Sequence, residues 1–168
     1  MLKRLMAVVA GLALLSVTLV AAESLEKLKA KLAREKDPED RAKITVKIGP
    51  IILERAAQAY TEQRYEAGTA ALEEYLNYIR RAHLDLKNSG RNARKKPKGF
   101  KELEIHLRQV TLQLEDLARA VPYEQRTPIE AAKQEVEGIW KKLVRALFGL
   151  PPSPPDEPTP GVPKERKL

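Results

Sequence analysis

Fifteen residues, from Lys87 to Lys101, carry Lys87, Arg91, Arg94, Lys95, Lys96, Lys98 and Lys101, and no acid stands between Asp85 and Glu102. Cations gathered this closely raise the local potential and suit a partner rich in phosphate or carboxylate. The competing reading is a solvated loop that only keeps the protein soluble. Asn88-Ser89-Gly90 and Pro97-Lys98-Gly99 are turn sequences, so the cluster falls on a connection, with Arg80 and Arg81 a turn or two below it. The segment offers no aromatic ring for stacking a base until Phe100, which opens an apolar stripe. There is also no zinc finger, aromatic RNA-binding motif or glycine-rich phosphate loop, so nucleic acid is disfavoured as a partner. An acidic protein, an anionic envelope polymer or an anionic lipid fits the charge.

The two histidines come next. If a hairpin turns around residues 88–99, residue 83 falls opposite about residue 104, and His83 and His106 come within one turn of each other. Asp85, Glu102 and Glu104 are then near the same level. Two imidazoles and a carboxylate can bind zinc. Neither histidine sits in the paired spacing of a metal motif, however, so both are expected to cover the edge of a core, and no metal or cofactor is expected. Catalysis finds little in the chain. The serines are Ser16, Ser24, Ser89 and Ser153, and none lies in a nucleophile elbow. Glu54, Glu73 and Glu74 are acids that a glycan-cleaving cleft would need, but amphipathic helices place such residues on their wet face anyway. The chain reads as noncatalytic, with a metal-dependent or glycan-directed enzyme as the distant alternative. Trp140, the one tryptophan, falls beside an apolar stripe and reads as an anchor; Lys141 and Lys142 beside it leave a membrane-surface helix as the other reading.

The elements that must position these residues read as helix throughout. Ser24 is placed to cap a first helix carrying Leu25, Leu28 and Leu32. Asp37-Pro38-Glu39-Asp40 is a helix start: an oxygen cap, proline at the first position, and acids at the positive end of the dipole. Ile44-Thr45-Val46-Lys47-Ile48 alternates like a strand, yet no second strand exists to pair with it, so it is expected to be helical. Gly49-Pro50 should then kink or split that helix. Three stripes step by three and four: Tyr65, Gly68, Leu72, Tyr75, Ile79, Ala82, Leu86; Phe100, Leu103, Leu107, Val110, Leu114, Leu117, Val121; and Ile129, Ala132, Val136, Ile139, Leu143, Ala146, Leu150. Thr127-Pro128-Ile129-Glu130 reads as a capping box, and Gly149 before Pro151 as a stop. Extra apolar residues flank the stripes at Ala71, Leu76, Ile105, Leu112, Trp140, Val144 and Leu147. The widened faces imply helices of about 33 Å with two or more neighbours, an all-α antiparallel bundle of four to five helices.

The ends of the chain carry other signals. Lys3 and Arg4 precede an apolar run from Leu5 to Val20, and Val20-Ala21-Ala22 stands ahead of Glu23. This is the pattern of an export signal, with cleavage expected after Ala22 and a periplasmic or envelope destination. An uncleaved anchor is the alternative. From Pro151 onward seven of eighteen residues are proline, so residues 149–168 are expected to form an extended, solvated tail. Residues 23–148 are left as one helical domain. The chain has no cysteine, so its stability must come from packing. Of 168 residues, 31 are Lys or Arg and 23 Asp or Glu; losing the leader lowers the net charge from +8 to +6, and the tail is neutral, so the excess belongs to the domain.

Ala56-Ala57-Gln58-Ala59-Tyr60, Tyr65-Glu66-Ala67-Gly68, Leu72 and Tyr75, within about residues 51–80, resemble a tetratricopeptide-type helical hairpin. The likeness rests on small residues where two helices touch and on a tyrosine at each side of the turn, here five residues apart with Gln63-Arg64 between them. It implies a close antiparallel pair and a binding role. The chain as a whole is similar to small exported bacterial proteins. The expected function is that of a noncatalytic envelope protein, a helical scaffold that binds another macromolecule or self-associates. The alternative is a polyanion or anionic-lipid binder acting through residues 87–101.

Overall fold

The computed structural model describes residues 23–151; the expected export signal at residues 1–22 and all but the first three residues of the expected tail at 149–168 lie outside them. The described chain forms five α-helices and no strand: α1 (residues 23–34), α2 (Pro38–Thr61), α3 (Tyr65–Asn88), α4 (Lys98–Ala120) and α5 (Thr127–Phe148). A single 3-10 turn, Tyr123–Gln125, precedes α5.

The start of α2 follows from its sequence. Asp37 accepts hydrogen bonds from the backbone N–H groups of Glu39 (2.9 Å) and Asp40 (3.2 Å), and Pro38 occupies the first turn, where its missing N–H costs nothing. The alternating segment 44–48 is helical, and α2 runs unbroken through Gly49-Pro50. Pro50 is exposed and Gly49 is buried against the core; the proline leaves the Val46 carbonyl, one turn back, without its helical donor.

Two expected caps are absent. Ser24 lies within α1. Thr127 is the first residue of α5 and its side chain caps nothing, because the 3-10 turn delivers Arg126 in helical conformation; the Arg126 carbonyl then accepts from both Ile129 and Glu130 (2.9 Å each). At the other end Gly149 stops α5 with φ +67°, and the Leu150 N–H returns to the Arg145 carbonyl at 2.9 Å.

Polar pairs fix how the helices are arranged. Trp140 Nε1 donates to Glu104 (2.8 Å) and Lys133 reaches Glu115 (3.1 Å), an antiparallel register between α4 and α5. Arg80 grips Glu135 with two bonds (2.6 and 2.7 Å), and Lys142 lies near enough to His83 to act on it, so α3 and α5 run side by side in parallel. Gly99 sits against the backbone of Glu39, so α2 and α4 start side by side. The circuit is therefore α2–α3–α5–α4, and α3 and α4, although consecutive in the chain, are diagonal. α1 lies on the α2–α3 side, where Lys29 pairs with Glu74 and Arg41 donates to the carbonyls of Leu32 and Glu35 and to Asp85.

The stripes fill the centre. Ile48, Ile52, Leu72, Tyr75, Ile79, Leu86, Leu103, Leu107, Leu114, Ile129 and Leu143 are all but inaccessible. Ala146 and Leu150, at the end of the last stripe, are exposed, and Leu112, expected to widen the α4 face, is 63% exposed. In the α2–α3 hairpin, the Tyr60 ring packs on Gly68, its hydroxyl meets Thr69 Oγ1 at 2.9 Å, and Gln63 takes a left-handed φ of 58° in the turn. Among the described residues no helix is long and apolar enough to cross a membrane.

Candidate functional site

α2 and α4 begin, and α3 and α5 end, at one pole of the bundle. Residues 89–97 cross that pole, because a connection between diagonal helices must span it. The crossing is an anchored strap. Ala93 is buried, and Ser89 Oγ donates to the Leu86 carbonyl (2.6 Å) and accepts from Arg91 N (3.2 Å). Asn92 Oδ1 accepts from the backbone N–H groups of Arg94 (2.9 Å) and Lys95 (3.2 Å). The strap is tied down at Ala93, Ser89 and Asn92, while Gly90 and residues 94–97 are exposed to solvent.

The seven cations of the segment end in different surroundings. Arg91 forks onto Asp37, with one bond of 3.1 Å and a second from Nη2 to Oδ2, and also reaches Glu39 at 3.1 Å. The Arg91 guanidinium, helped by the two backbone donors at the start of α2, holds the Asp37 carboxyl down at about 2. Lys96 and Lys98 line an open groove of about 610 Å³ together with Asp37, Glu39, Asp40 and Lys43. On the α2–α4 side of the pole, then, the basic segment meets acids that the sequence places some fifty residues upstream.

The α3–α5 side is different. Lys87 and Lys142 flank His83, whose pKa is lowered first by burial and then by these two cations. Arg94 lies on Gly149, where an added Cβ would stand 2.8 Å from Arg94 Cδ. Arg145 donates to the Pro151 carbonyl at 2.7 Å. Lys95 is exposed beside Arg94, and Lys101 is exposed on α4. Of the seven cations, Arg91 is the one with an acidic partner within 4.0 Å among the described residues. Three large apolar side chains are exposed near the same pole: Leu84 (50%), one turn before the end of α3, and Phe148 (69%) and Leu150 (52%) at the end of α5. Phe148 is a member of this group that no pattern in the sequence singled out, although an apolar residue off the stripe and next to a glycine stop was a signal for it.

His106 is committed to a partner other than His83. His106 Nε2 lies 3.1 Å from the Tyr75 hydroxyl, eight residues or about 12 Å along α3 from His83. The reason is the diagonal placement of α3 and α4, which is incompatible with a simple hairpin. Gly49 completes the pocket: a Cβ there would stand 2.6 Å from His106 Nε2 and 3.1 Å from the Tyr75 ring. Burial lowers the His106 pKa to about 4 and pushes the Tyr75 phenol well above its usual value, so both are neutral near pH 7. Among the described residues no three His, Asp or Glu side chains gather as metal ligands do.

The carboxylates named as candidate acids are held in ion pairs or open to water. Glu73 bonds Arg80 (2.6 Å). Burial pulls the Glu74 carboxyl upward, but its bonds to Arg55 and Lys29 leave it below the usual value. Glu54 is exposed. Trp140 is half-buried with its indole N–H committed to Glu104, which makes it an α4–α5 anchor. No family model, no curated protein and no solved structure matches this chain.

Proposed function

We propose that this is a noncatalytic, exported binding module whose cationic pole holds an anionic macromolecule. One observation carries the reading: the strap fixes its backbone over the pole while Lys87, Arg94, Lys95 and Lys101 remain without an acidic partner among the described residues. A preordered cationic surface loses little entropy when it binds. The export signal read at residues 1–22 puts that pole outside the cytosol, the tail from Pro151 serves as a spacer, and the α2–α3 pair is the tetratricopeptide-like part.

Retention on immobilised heparin tests the proposal. The wild-type protein should be held at low salt and released as salt rises. Lys87→Glu with Lys95→Glu should abolish retention without changing helix content, since both side chains are exposed. Equal retention of wild type and variant overturns it. A second reading, a helical scaffold, draws on Leu112, 63% exposed on α4, with half-buried Ile105 one heptad before it. It expects a salt-tolerant partner or dimer that Leu112→Ser disrupts.

A further inference from the structure

We propose that the anionic partner is a lipid bilayer surface, docked end-on by the α3–α5 side of the pole. The inference rests on the pole being an anion binder, and it adds the chemistry of the partner. Charge alone fits any polyanion, but the apolar side chains do not. Phe148 and Leu150 are among the five large apolar residues left exposed in the described chain, and they adjoin the cations Arg94 and Arg145. Leu84 is exposed one turn before the end of the parallel neighbour α3, close in sequence to Lys87. A heparin-like polymer or a phosphate backbone gains nothing from aliphatic surface. The boundary between lipid headgroups and acyl chains takes both kinds of group, because it offers phosphates to the cations and apolar depth to Phe148, Leu150 and Leu84.

The pole is also one-sided. Asp37, Glu39 and Asp40 lie with Lys43, Arg91, Lys96 and Lys98 around the α2–α4 groove, so three acids offset most of the four cations on that side. No acid stands on α3 after Asp85 or on α5 after Glu137. An anionic surface is therefore met by Lys87, Arg94, Lys95 and Lys142. The left-handed stop at Gly149 and the Leu150 N–H bond to Arg145 hold the end of α5 in place, so the apolar residues are presented by rigid backbone.

The test is co-sedimentation of the protein, as its own cells accumulate it, with vesicles of phosphatidylglycerol and phosphatidylcholine and with vesicles of phosphatidylcholine alone; heparin retention is measured in parallel. Wild type should bind the anionic vesicles and leave the zwitterionic ones. Phe148→Ser with Leu150→Ser should weaken vesicle binding about tenfold and leave heparin retention unchanged. Lys87→Glu with Lys95→Glu should weaken vesicle binding by about thirtyfold or more and lose heparin as well. Heparin retention without vesicle binding, or vesicle binding that ignores Phe148 and Leu150, overturns the lipid inference and leaves the anion-binding reading standing. Failure of the wild type on both supports overturns both.

Discussion

Lowering the pH from 7 to 4 puts a proton on His106 in a place built for a neutral ring. The imidazole is 5% exposed, its Nε2 faces the Tyr75 hydroxyl at 3.1 Å, and Gly49 closes over it. Burial takes its pKa from 6.5 to about 4 in the folded protein. The unfolded chain therefore binds more protons than the folded one between pH 6.5 and 4. The contribution is fully present above pH 6.5 and drains away as pH falls toward 4, amounting to about 3 kcal/mol. That is a large share of the 5–15 kcal/mol typical of a folded domain. Urea unfolding followed by far-ultraviolet circular dichroism at pH 7, 6, 5 and 4 measures it. His106→Gln keeps a polar partner for Tyr75 but cannot titrate, so its loss over this interval should be smaller by most of that amount. His83 contributes in the same direction, and His83→Gln separates its share. Asp37 adds little within the window, since its carboxyl is depressed to about 2 and most of its contribution is lost below pH 4; the His106→Gln comparison cancels the remainder. Wild-type and His106→Gln stabilities that decline in parallel from pH 7 to 4 would refute the reasoning.

Gly49→Ala should destabilise the bundle by about 1–3 kcal/mol, because its Cβ collides with His106 and Tyr75; Gly138→Ala, with nothing within 4 Å of the added carbon, should stabilise it by up to about 1 kcal/mol. Thermal melts of the two variants that shift the same way would contradict this. Arg91→Ala should unfasten the strap from α2, let the Asp37 pKa climb back toward 3.8, and speed proteolysis within residues 90–97; carboxyl titration by NMR and a timed digest check both effects. Lys142→Ala removes one of the two cations that press on His83, so the His83 pKa should rise while that of His106 stays put; histidine NMR titration reads both rings in one experiment.

The helices were legible because their evidence is local. Heptad stripes, the Asp37-Pro38 start and the Gly149 stop each lie within a few residues of what they determine, and apart from Ala146 and Leu150 at the end of the last stripe they appear where those residues stand. The strand-like stretch 44–48 also resolved correctly, since a strand without a partner cannot satisfy its backbone. What escaped was the order of the helices around the bundle. Chain neighbours are usually spatial neighbours, which made α3 and α4 look like a hairpin and set His83 against His106. The diagonal placement gives His106 to Tyr75 and Gly49. It also joins Asp37 and Glu39 to Arg91 across more than fifty residues, and no local pattern announces that. Thr127 failed as a cap for a smaller reason of the same kind, because the chain arrives through a 3-10 turn that the proline and acid spacing does not encode.

The diagonal crossing accounts for one part of the composition of residues 87–101 and not for the rest. A chain that spans the pole of a four-helix circuit covers the ends of the core, and it needs small or apolar contacts beneath and polar ones above. Ala93 supplies the first, and Ser89, Asn92 and Arg91 supply the second through bonds to Leu86, the backbone and Asp37. None of these roles requires Lys87, Lys95 or Lys101, and none is served by exposing Phe148 or Leu150. Stability explains Arg91 and leaves the other cations unaccounted for, since exposed like charges repel one another and weaken the fold slightly. Residues that cost stability and are held on a fixed scaffold are where a binding surface is to be sought. The strap and the α3–α5 edge of this pole meet that description together, and the vesicle and heparin comparison separates what each contributes.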